Sequence, residues 1–478
     1  MTAQQSPQLF WRLESIIFGA PSEVHRVAHS AEWAFVSNAA LRSMASHISE
    51  AAPHLSRTAW RLSPMNRLRS HILIVGGGAA GMSAAVSAAG SGDLSVTLVD
   101  DNPRLGGQIW RAELGKTKSP DVIKLIAAVK AGRINIVNNA QVFGQCDNTI
   151  LTAETPDGVV GFEYKKLIIA TGARERFLPF PGWTQPNVFG AGGLQALVKG
   201  GLKVDNKRVI VAGTGALLLA VAEYLKSKGA KVVAIAEQTS AAKINKFAFG
   251  LWRSPSKIPQ VISLRSKLFG IPYLTDCWVK SANGGEKLDG VELTRKGRTW
   301  TVDCDMLACG FHLVPNIELA SILSCELQSG LVTVDQFQRT SIENIFCAGE
   351  PTGIAGVESS LIEGKIAGLT ASGQTDTARS HLAERDKTRR FGDALNSAFS
   401  LREELKTLAN TDTIVCRCED VEYGRLLEFN NFRDAKLQTR CGMGACQGRV
   451  CGAVTEFLFG WKPGSMRPPI FPVKMENL

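Results

Sequence analysis

The stretch Ile72-Leu73-Ile74-Val75-Gly76-Gly77-Gly78-Ala79-Ala80-Gly81-Met82-Ser83-Ala84-Ala85 decides how the rest of the chain is read. Four apolar residues of strand character run into three glycines, and the small residues that follow suit a helix lying close to a sheet. Gly76 makes the tight turn, Gly78 lets the backbone approach a pyrophosphate, and Gly81 lets helix press on strand. The helix N-terminus faces the phosphate charge, and Asp100, at the end of the strand Val96–Val99 and 19 residues after Gly81, is spaced to accept from a ribose hydroxyl. A bare G-x-G-x-x-G is often only a glycine-rich turn. The strand before it, the helix after it and the acid at this distance make it a nucleotide site.

Outward from this unit, strand and helix patterns alternate. Strands are expected at Leu167–Ala170, Val209–Ala212, Val232–Ala236 and Ile345–Cys347, which argues for an α/β class with parallel sheets. The strand–glycine–helix unit occurs a second time as Gly213-Thr214-Gly215-Ala216-Leu217-Leu218, with Glu237 ending its second strand. Leu218 stands at the third glycine position, where a large side chain is expected to push helix from strand and distort the cradle. The second site, Gly213, Gly215 and Glu237, stays open between NAD, another adenine nucleotide and nothing. If it takes a nicotinamide, Glu237 without a neighbouring Arg favours NAD over its phosphorylated form.

The C-terminal end carries the most specific pattern. Five of the eleven cysteines fall between Cys416 and Cys451, as Cys416-Arg417-Cys418 and Cys441-Gly442-Met443-Gly444-Ala445-Cys446-Gln447-Gly448-Arg449-Val450-Cys451. Closely spaced thiols on glycine-rich loops suit an iron–sulfur cluster or zinc in a reducing compartment, because backbone N–H groups must reach the sulfurs; spacing alone leaves the metal open. No Cys-x-x-Cys occurs, so the paired thiol of disulfide-reducing flavoproteins is missing. Cys304 and Cys309 are expected on one strand, Cys304 to Ala308 and beyond, with odd spacing that points the sulfurs to opposite faces as packing residues. His312 is expected to be a satisfied core histidine.

Composition bounds the rest. At 478 residues, 45% hydrophobic and 21% charged, the chain reads as a multidomain globular protein, and 46 Gly without a G-X-Y period point to tight turns near ligands. The net charge of +10 forms no long basic run and accompanies no nucleic-acid reading module, so a nucleic-acid partner is not expected. Between Glu237 and Asp276, Lys243, Lys246, Arg253, Lys257, Arg265 and Lys267 interleave with Phe247, Phe249, Leu251 and Trp252, which suggests a partner-subunit face. Around the cysteines lie Lys436, Arg440, Arg449, Lys462, Arg467 and Lys474, opposed by Glu456. No transmembrane segment and no secretory signal are read. Residues 1–69 differ in kind, with seven Arg, four Glu, no Lys and no Asp. They allow two amphipathic helices and read as an upstream start, an interaction arm or a transit-like segment.

Further pieces carry a resemblance. Leu105-Gly106-Gly107-Gln108, Ile168-Ile169-Ala170-Thr171-Gly172 and Ile345-Phe346-Cys347-Ala348-Gly349-Glu350, with Ala173-Arg174-Glu175-Arg176, resemble the FAD domain of two-dinucleotide-fold flavoproteins. From about residue 70 onward the chain resembles the α subunit of heteromeric FAD-dependent dehydrogenases and oxidases: opine oxidase, proline and hydroxyproline dehydrogenases, and hydrogen cyanide synthase. Its end resembles the [2Fe-2S] domain of the bacterioferritin-associated ferredoxin type, also found on anaerobic glycerol-3-phosphate dehydrogenase. The resemblance implies an FAD domain over 70–180 and 310–380, an inserted second Rossmann-like domain over 181–309, a helical linker over 381–410 and an iron–sulfur domain over 411–478. It implies an FAD site of Gly76, Gly78, Ala79, Ala80, Gly81, Asp100, Gly107, Gln108, Val142, Ala170, Thr171, Gly172, Gly349, Glu350, Gly356 and Val357, with Glu350 where many relatives have Asp. A helix from Gly356 to Ala367 would turn its N-terminus toward the flavin. The implied cluster ligands are Cys416, Cys418, Cys446 and Cys451, with Cys441 as alternate.

The expected function is electron transfer, through FAD and a [2Fe-2S] cluster, within a complex that oxidises the C–N bond of an amino acid, opine or (hydroxy)proline. Substrate oxidation would lie on a glycine-oxidase-like flavoprotein β subunit, with room for a third small subunit, and the complex would be cytoplasmic or peripheral at the membrane. The rivals are a self-contained NAD(P)H-dependent FAD/[2Fe-2S] oxidoreductase, a hydrogen cyanide synthase subunit, and a redox-sensing or zinc-stabilised scaffold. Catalytic residues and electron acceptor are left open. Because residues 1–64 depart in composition from the body, a chain beginning at Met65 should keep full flavin and iron content on purification. Loss of either would make the extension part of the fold.

Overall fold

The computed structural model describes residues 66–477 apart from 91, 93, 111–119, 463 and 465; the expectations for the N-terminal extension up to residue 65 lie outside the described residues. The chain runs β1 (Asn66–Val75), α1 (Ala79–Ala89), β2 (Val96–Val99), β3 (Ile134–Val137), β4 (Gln141–Asp147), β5 (Ile150–Thr155) and β6 (Gly158–Ile169). It continues through β7 (Val188–Gly190), β8 (Arg208–Thr214), α2 (Ala216–Ser227), β9 (Lys231–Glu237), β10 (Tyr273–Thr275), β11 (Met306–Phe311) and β12 (Ile345–Cys347). After these come α3 (Val357–Ala371), α4 (Leu382–Ala398) and α5 (Cys451–Phe459).

The first sheet has the order β3-β2-β1-β6-β5-β4. Strands β3, β2, β1 and β6 are parallel, while β4, β5 and β6 form an antiparallel meander. The second edge of β6 is shared: β5 pairs with its first half and β12 runs parallel to Leu167–Ile169. Strand β1 is longer than its apolar run. Asn66 to Ser70, which in sequence resemble the end of the extension or a lead-in, pair with Val160 to Tyr164 of β6, and Arg69 reaches Glu163 at 2.9 Å. Backbone pairing needs no apolar side chains at a solvated strand end, so composition does not mark this part.

The second sheet, β10-β9-β8-β11-β7, is wholly parallel. An antiparallel meander of Cys277–Gly284, Leu288–Arg295 and Arg298–Asp303 lies in the chain between β10 and β11. A short antiparallel pair, Ala173–Glu175 with Leu313–Pro315, is where the chain leaves the first fold and returns to it. The C-terminal module has a hairpin, Ile414–Cys416 with Val421–Glu422, the helix Phe432–Thr439 and α5. No helix among the described residues is long and apolar enough to cross a membrane.

Two expectations are corrected here. Cys304 precedes β11, so the two-residue strand period does not apply between it and Cys309. Both are buried in the same core cluster, with Leu307 and Phe311, and neither is in a disulfide. Leu218 does not force helix from strand: its Cδ2 faces Gly310, which has no side chain to displace, and α2 begins directly after Gly215.

The first fold depends on backbone-to-backbone contact. A Cβ on Gly81 would overlap the Gly76 carbonyl, and Cβ atoms on Gly364 and Gly368 of α3 would overlap the Ala80 and Ala84 carbonyls of α1. Small residues on α1 and glycines on α3 thus let the two helices touch along their backbones. Overpacking of this kind costs about 1–3 kcal/mol. Gly364→Ala should therefore lower the denaturation midpoint clearly, whereas Gly285→Ala, where a Cβ meets nothing within 4 Å, should leave it nearly unchanged.

Candidate functional site

The glycine turn after β1 forms an open cradle. Gly76 has φ +111, and a Cβ there would strike the Ala170 carbonyl, so the turn is fixed by its own backbone. Over Gly78 the nearest atom to a Cβ would be the Gly107 Cα at 3.8 Å, which leaves a concavity at the start of α1. The Gly106 N–H donates to the Gly77 carbonyl at 2.8 Å and brings Gly107 and the exposed Gln108 beside the turn. Asp100 is buried; its Oδ2 accepts from the Gly77 N–H at 2.5 Å and its Oδ1 from the Asn102 N–H at 2.8 Å. Asn102 Nδ2 also donates to Oδ1 at 3.0 Å, while Oδ2 keeps capacity for a second donor, so a ribose hydroxyl remains compatible. Val142 turns its side chain into the core, so only its backbone is available, near the Asp100 carbonyl that accepts from the Ala140 N–H.

At the far end, β6 runs into Ala170-Thr171-Gly172. Thr171 Oγ1 donates to the Asn316 carbonyl at 2.7 Å, and Asn316 Nδ2 donates to the Thr171 carbonyl at 2.9 Å. Facing this, Gly349 lies against Ala80, and Glu350 Oε1 accepts from the Gly356 N–H at 3.1 Å, just before Val357 opens α3. Glu363, buried inside α3, accepts from the Gly349 N–H and Thr352 Oγ1, both at 2.9 Å, and pairs with Arg389 at 2.8 Å. Glu350 Oε2 and Arg176 Nε are buried without a hydrogen-bond partner. The open cradle over Gly78 and the orphaned Glu350 oxygen both fit a polar ligand laid from the first turn to the start of α3, and FAD meets that requirement.

The thiols come together as a second centre. The sulfurs of Cys416, Cys441 and Cys451 lie within 4.8 Å of one another, Cys446 is in contact with Cys451, and Cys418 with Cys446. A cavity of about 320 Å³ is lined by Cys416, Cys418, Cys446 and Cys451 with Arg417 and Val450; Cys441 is not part of its wall. N–H groups of Gly442 and Glu419 reach Cys416, and those of Val450 and Gly448 reach Cys446. Donation from Cys441 and Cys451 holds Cys416 well below the usual thiol range, and donation from Cys451 lowers Cys446. Convergent thiols with N–H donors around them are the donor set of an iron–sulfur or zinc centre. The basic surroundings are weaker than the sequence implies, because Arg440 pairs with Glu419 at 2.6 Å, Lys462 with Glu456 at 3.6 Å and Lys474 with Glu476 at 3.8 Å.

The two centres are joined. Arg174 Nη1 donates to Asn316 Oδ1 at 2.7 Å, its Nε donates to the Arg449 carbonyl at 3.1 Å, and Glu318 pairs with Arg174 at 2.8 Å and Arg449 at 3.8 Å. A cavity of about 1050 Å³ lies at this joint, with Arg174, Arg176, Ala355, Asn396, Gly448 and Arg449 in its wall. The roles of Asn316, Glu318, Glu363 and Arg389 have no signal in the sequence. Arg174 and Arg449 sit in recognisable motifs, but nothing in the motifs says that they meet.

In the second fold, Gly213, Gly215 and Glu237 come together, but Glu237 is fully buried and its oxygens accept from the Gly215 N–H at 2.7 Å and the Thr239 N–H at 2.8 Å. His312 is satisfied, its Nε2 lying 2.6 Å from the Phe399 carbonyl, and burial lowers its pKa. Near the flavin cradle, burial and then the Glu363 charge push Glu350 up from its ordinary 4.5 to about 7 in the ligand-free fold. The folded protein thus retains a proton that the unfolded chain loses between these values. The contribution is present below pH 4.5 and is lost as pH rises through about 7. In flavin-free protein, the melting temperature of the wild type should fall relative to Glu350→Gln across that window; parallel curves would contradict the assignment.

Comparison with known proteins gives the family and the fold. Residues 70–371 match the family described as pyridine nucleotide-disulphide oxidoreductase. The chain is 30% identical to hydrogen cyanide synthase subunit HcnB of Pseudomonas aeruginosa, over 79% of this chain and 90% of that protein. It is 29% identical to an opine oxidase subunit of Rhizobium meliloti, over 85% of this chain and 86% of that one. Among solved structures, L-proline dehydrogenase from P. horikoshii superposes with a TM-score of 0.62 at 20% identity, covering 87% of this chain and 81% of that one, a likeness of fold. Two dinucleotide folds, an open first cradle and a family match across both establish that this chain belongs to the pyridine nucleotide-disulphide oxidoreductase family, in the company of hydrogen cyanide synthase subunit HcnB and the opine oxidase protein.

Proposed function

We propose that this chain is the electron-relaying subunit of a heteromeric flavin oxidoreductase that acts on the C–N bond of an amino acid, opine or proline-type amine. FAD is held by the cradle of Gly76, Gly78, Gly81 and Asp100 and reaches toward Thr171, Gly172, Glu350 and Gly356. A [2Fe-2S] cluster is held by Cys416, Cys418, Cys446 and Cys451, with Cys441 behind them. When bound, these groups supply two-electron acceptance and one-electron transfer.

The observation that carries this reading is the joint between the centres: Arg174 is bonded to Asn316 on the flavin side and to the Arg449 carbonyl within the Cys446–Cys451 loop. Around it the chain's own groups position and exclude. Glu363 and Arg389 fix the Gly349 turn, the start of α3 directs its positive end to the cradle mouth, and N–H groups of the cysteine loops stabilise thiolate charge. Substrate chemistry is assigned to a partner protein, in keeping with the relatives' names as subunits of larger enzymes and with a histidine, His312, that is committed to a backbone carbonyl. Phe249 and Phe269, 82% and 88% exposed beside basic residues, offer a face for that partner.

Recovery of FAD in the supernatant of acid-precipitated protein tests the first centre. For the second, single Cys→Ala variants should be compared by iron content and by the EPR signal after dithionite. Replacing Cys416, Cys418, Cys446 or Cys451 should abolish the rhombic signal, and Cys441→Ala should keep it, since a neighbouring thiol is not a ligand. An emptied Cys441→Ala site with an intact Cys451→Ala site would reverse the ligand assignment, and zinc throughout would remove the relay.

A further inference from the structure

The second dinucleotide cradle is filled by a piece of this chain. Where α4 ends, residues Phe399 to Arg402 cross the turn after β8. The Phe399 carbonyl accepts from Thr214 Oγ1 at 3.1 Å, and the Ser400 carbonyl from Gln238 Nε2 at 3.0 Å. The Arg402 N–H donates to Gln238 Oε1 at 3.2 Å, and its guanidinium donates to the Gln238 carbonyl at 3.1 Å and to Asp276 at 3.0 Å. Phe399 is 6% exposed, sits edge-on to Phe247 at 5.7 Å, and is the side chain that a Cβ on Gly215 would meet. In the first fold the equivalent space over Gly78 is bounded only by another glycine, Gly107.

These contacts use the places a dinucleotide needs: the second glycine of the turn, where pyrophosphate approaches, and the end of the second strand, where an acid meets ribose. Glu237 there is 0% exposed, and the next two residues, Gln238 and Thr239, are buried as well. The segment is anchored beyond the cradle too, with Leu401, Leu405 and Leu408 packed against the core under the second sheet.

We infer that Phe399–Arg402 is the resident occupant of the second dinucleotide cradle and competes there with adenine dinucleotides, so that reducing equivalents do not enter this chain as NADH or NADPH. The inference sharpens the proposed function by leaving the partner protein as electron source, but cradle occupancy does not depend on that reading. Apparent affinity falls in proportion to the fraction of molecules with the segment released, so a segment seated in about 99% of molecules weakens binding about 100-fold.

The test is binding, not flavin reduction, with the full chain and with ADP-ribose and NADH as probes. Calorimetric titration should show binding to Phe399→Gly/Arg402→Ala at least about tenfold tighter than to the wild type. Equal affinity in the two proteins, or tight wild-type binding without increased hydrogen exchange at residues 399–402, would overturn the inference. Should the double variant not fold, Thr214→Val removes one contact of the segment and should speed exchange at residues 399–402 selectively; unchanged exchange there would count against it. FAD content measured on the same samples reports separately on the flavin site.

Discussion

Glu318 is the charge on which the relation between the two centres depends. Its side chain is 8% exposed, and its carboxylate lies between the guanidiniums of Arg174 and Arg449. Arg174 belongs to the short strand that leaves the first fold, Glu318 opens the helix after the returning strand, and Arg449 lies in the loop that presents Cys446 and Cys451. Removing one member of a buried ion group leaves an uncompensated charge and costs about 3–5 kcal/mol, so the three residues stand or fall together. Arg449 is held further, over the Phe471 ring at 3.9 Å and by the Ile470 carbonyl. The thiol loop cannot shift relative to Thr171 and Asn316 without breaking this arrangement.

The same turn is built twice and put to different ends. Asp100 accepts from Gly77 and Glu237 from Gly215, so in each fold an acid at the end of the second strand braces the glycine turn after the first. What differs is the cover. Over the first turn lies Gly107, whose missing side chain leaves a cradle; over the second lies Phe399, with backbone carbonyls taking up Thr214 and Gln238. Possession of the motif and availability of the site are thus separate properties, and the second is set by residues far away in the chain.

That separation also divides what is legible in the sequence from what is not. The fingerprint, the alternation of strands and helices and the convergence of the cysteines are readable because each is a local pattern with a local cause. Leu218 misleads because its tolerance depends on Gly310 of a neighbouring strand. Cys304 misleads because it lies two residues before the strand whose period would have placed it. The positive charge around the thiols looks opposed by Glu456 alone in sequence because Glu419, Glu476 and Glu318 come to it from outside the stretch that holds the basic residues, or from its far end. Glu363 carries no mark at all: a glutamate within α3 reads as a solvated helical residue, and it is the Gly349 turn, Thr352, Ser359 and Arg389 that make it a buried brace.

The inter-domain segment then acquires a larger part than its polar composition suggests. Arg389 on α4 holds Glu363 and through it the Gly349 turn beside the flavin cradle. Ten residues on, Phe399 closes the second cradle, Leu405 enters the core, and Ile414 gives its carbonyl to Trp183 Nε1 at 2.6 Å where the thiol hairpin begins. One continuous stretch therefore touches the flavin end, the second dinucleotide turn and the base of the cysteine module. Its hydrogen bonds at the second cradle are with the buried side chains of Thr214 and Gln238 and the Gln238 carbonyl, partners whose loss is costly because each would be left unsatisfied. A displacement that opened the second cradle would therefore strain both ends of this stretch. A fold of nucleotide-binding type, once covered in this way, is tied by one stretch of chain both to the first cradle and to the thiol hairpin.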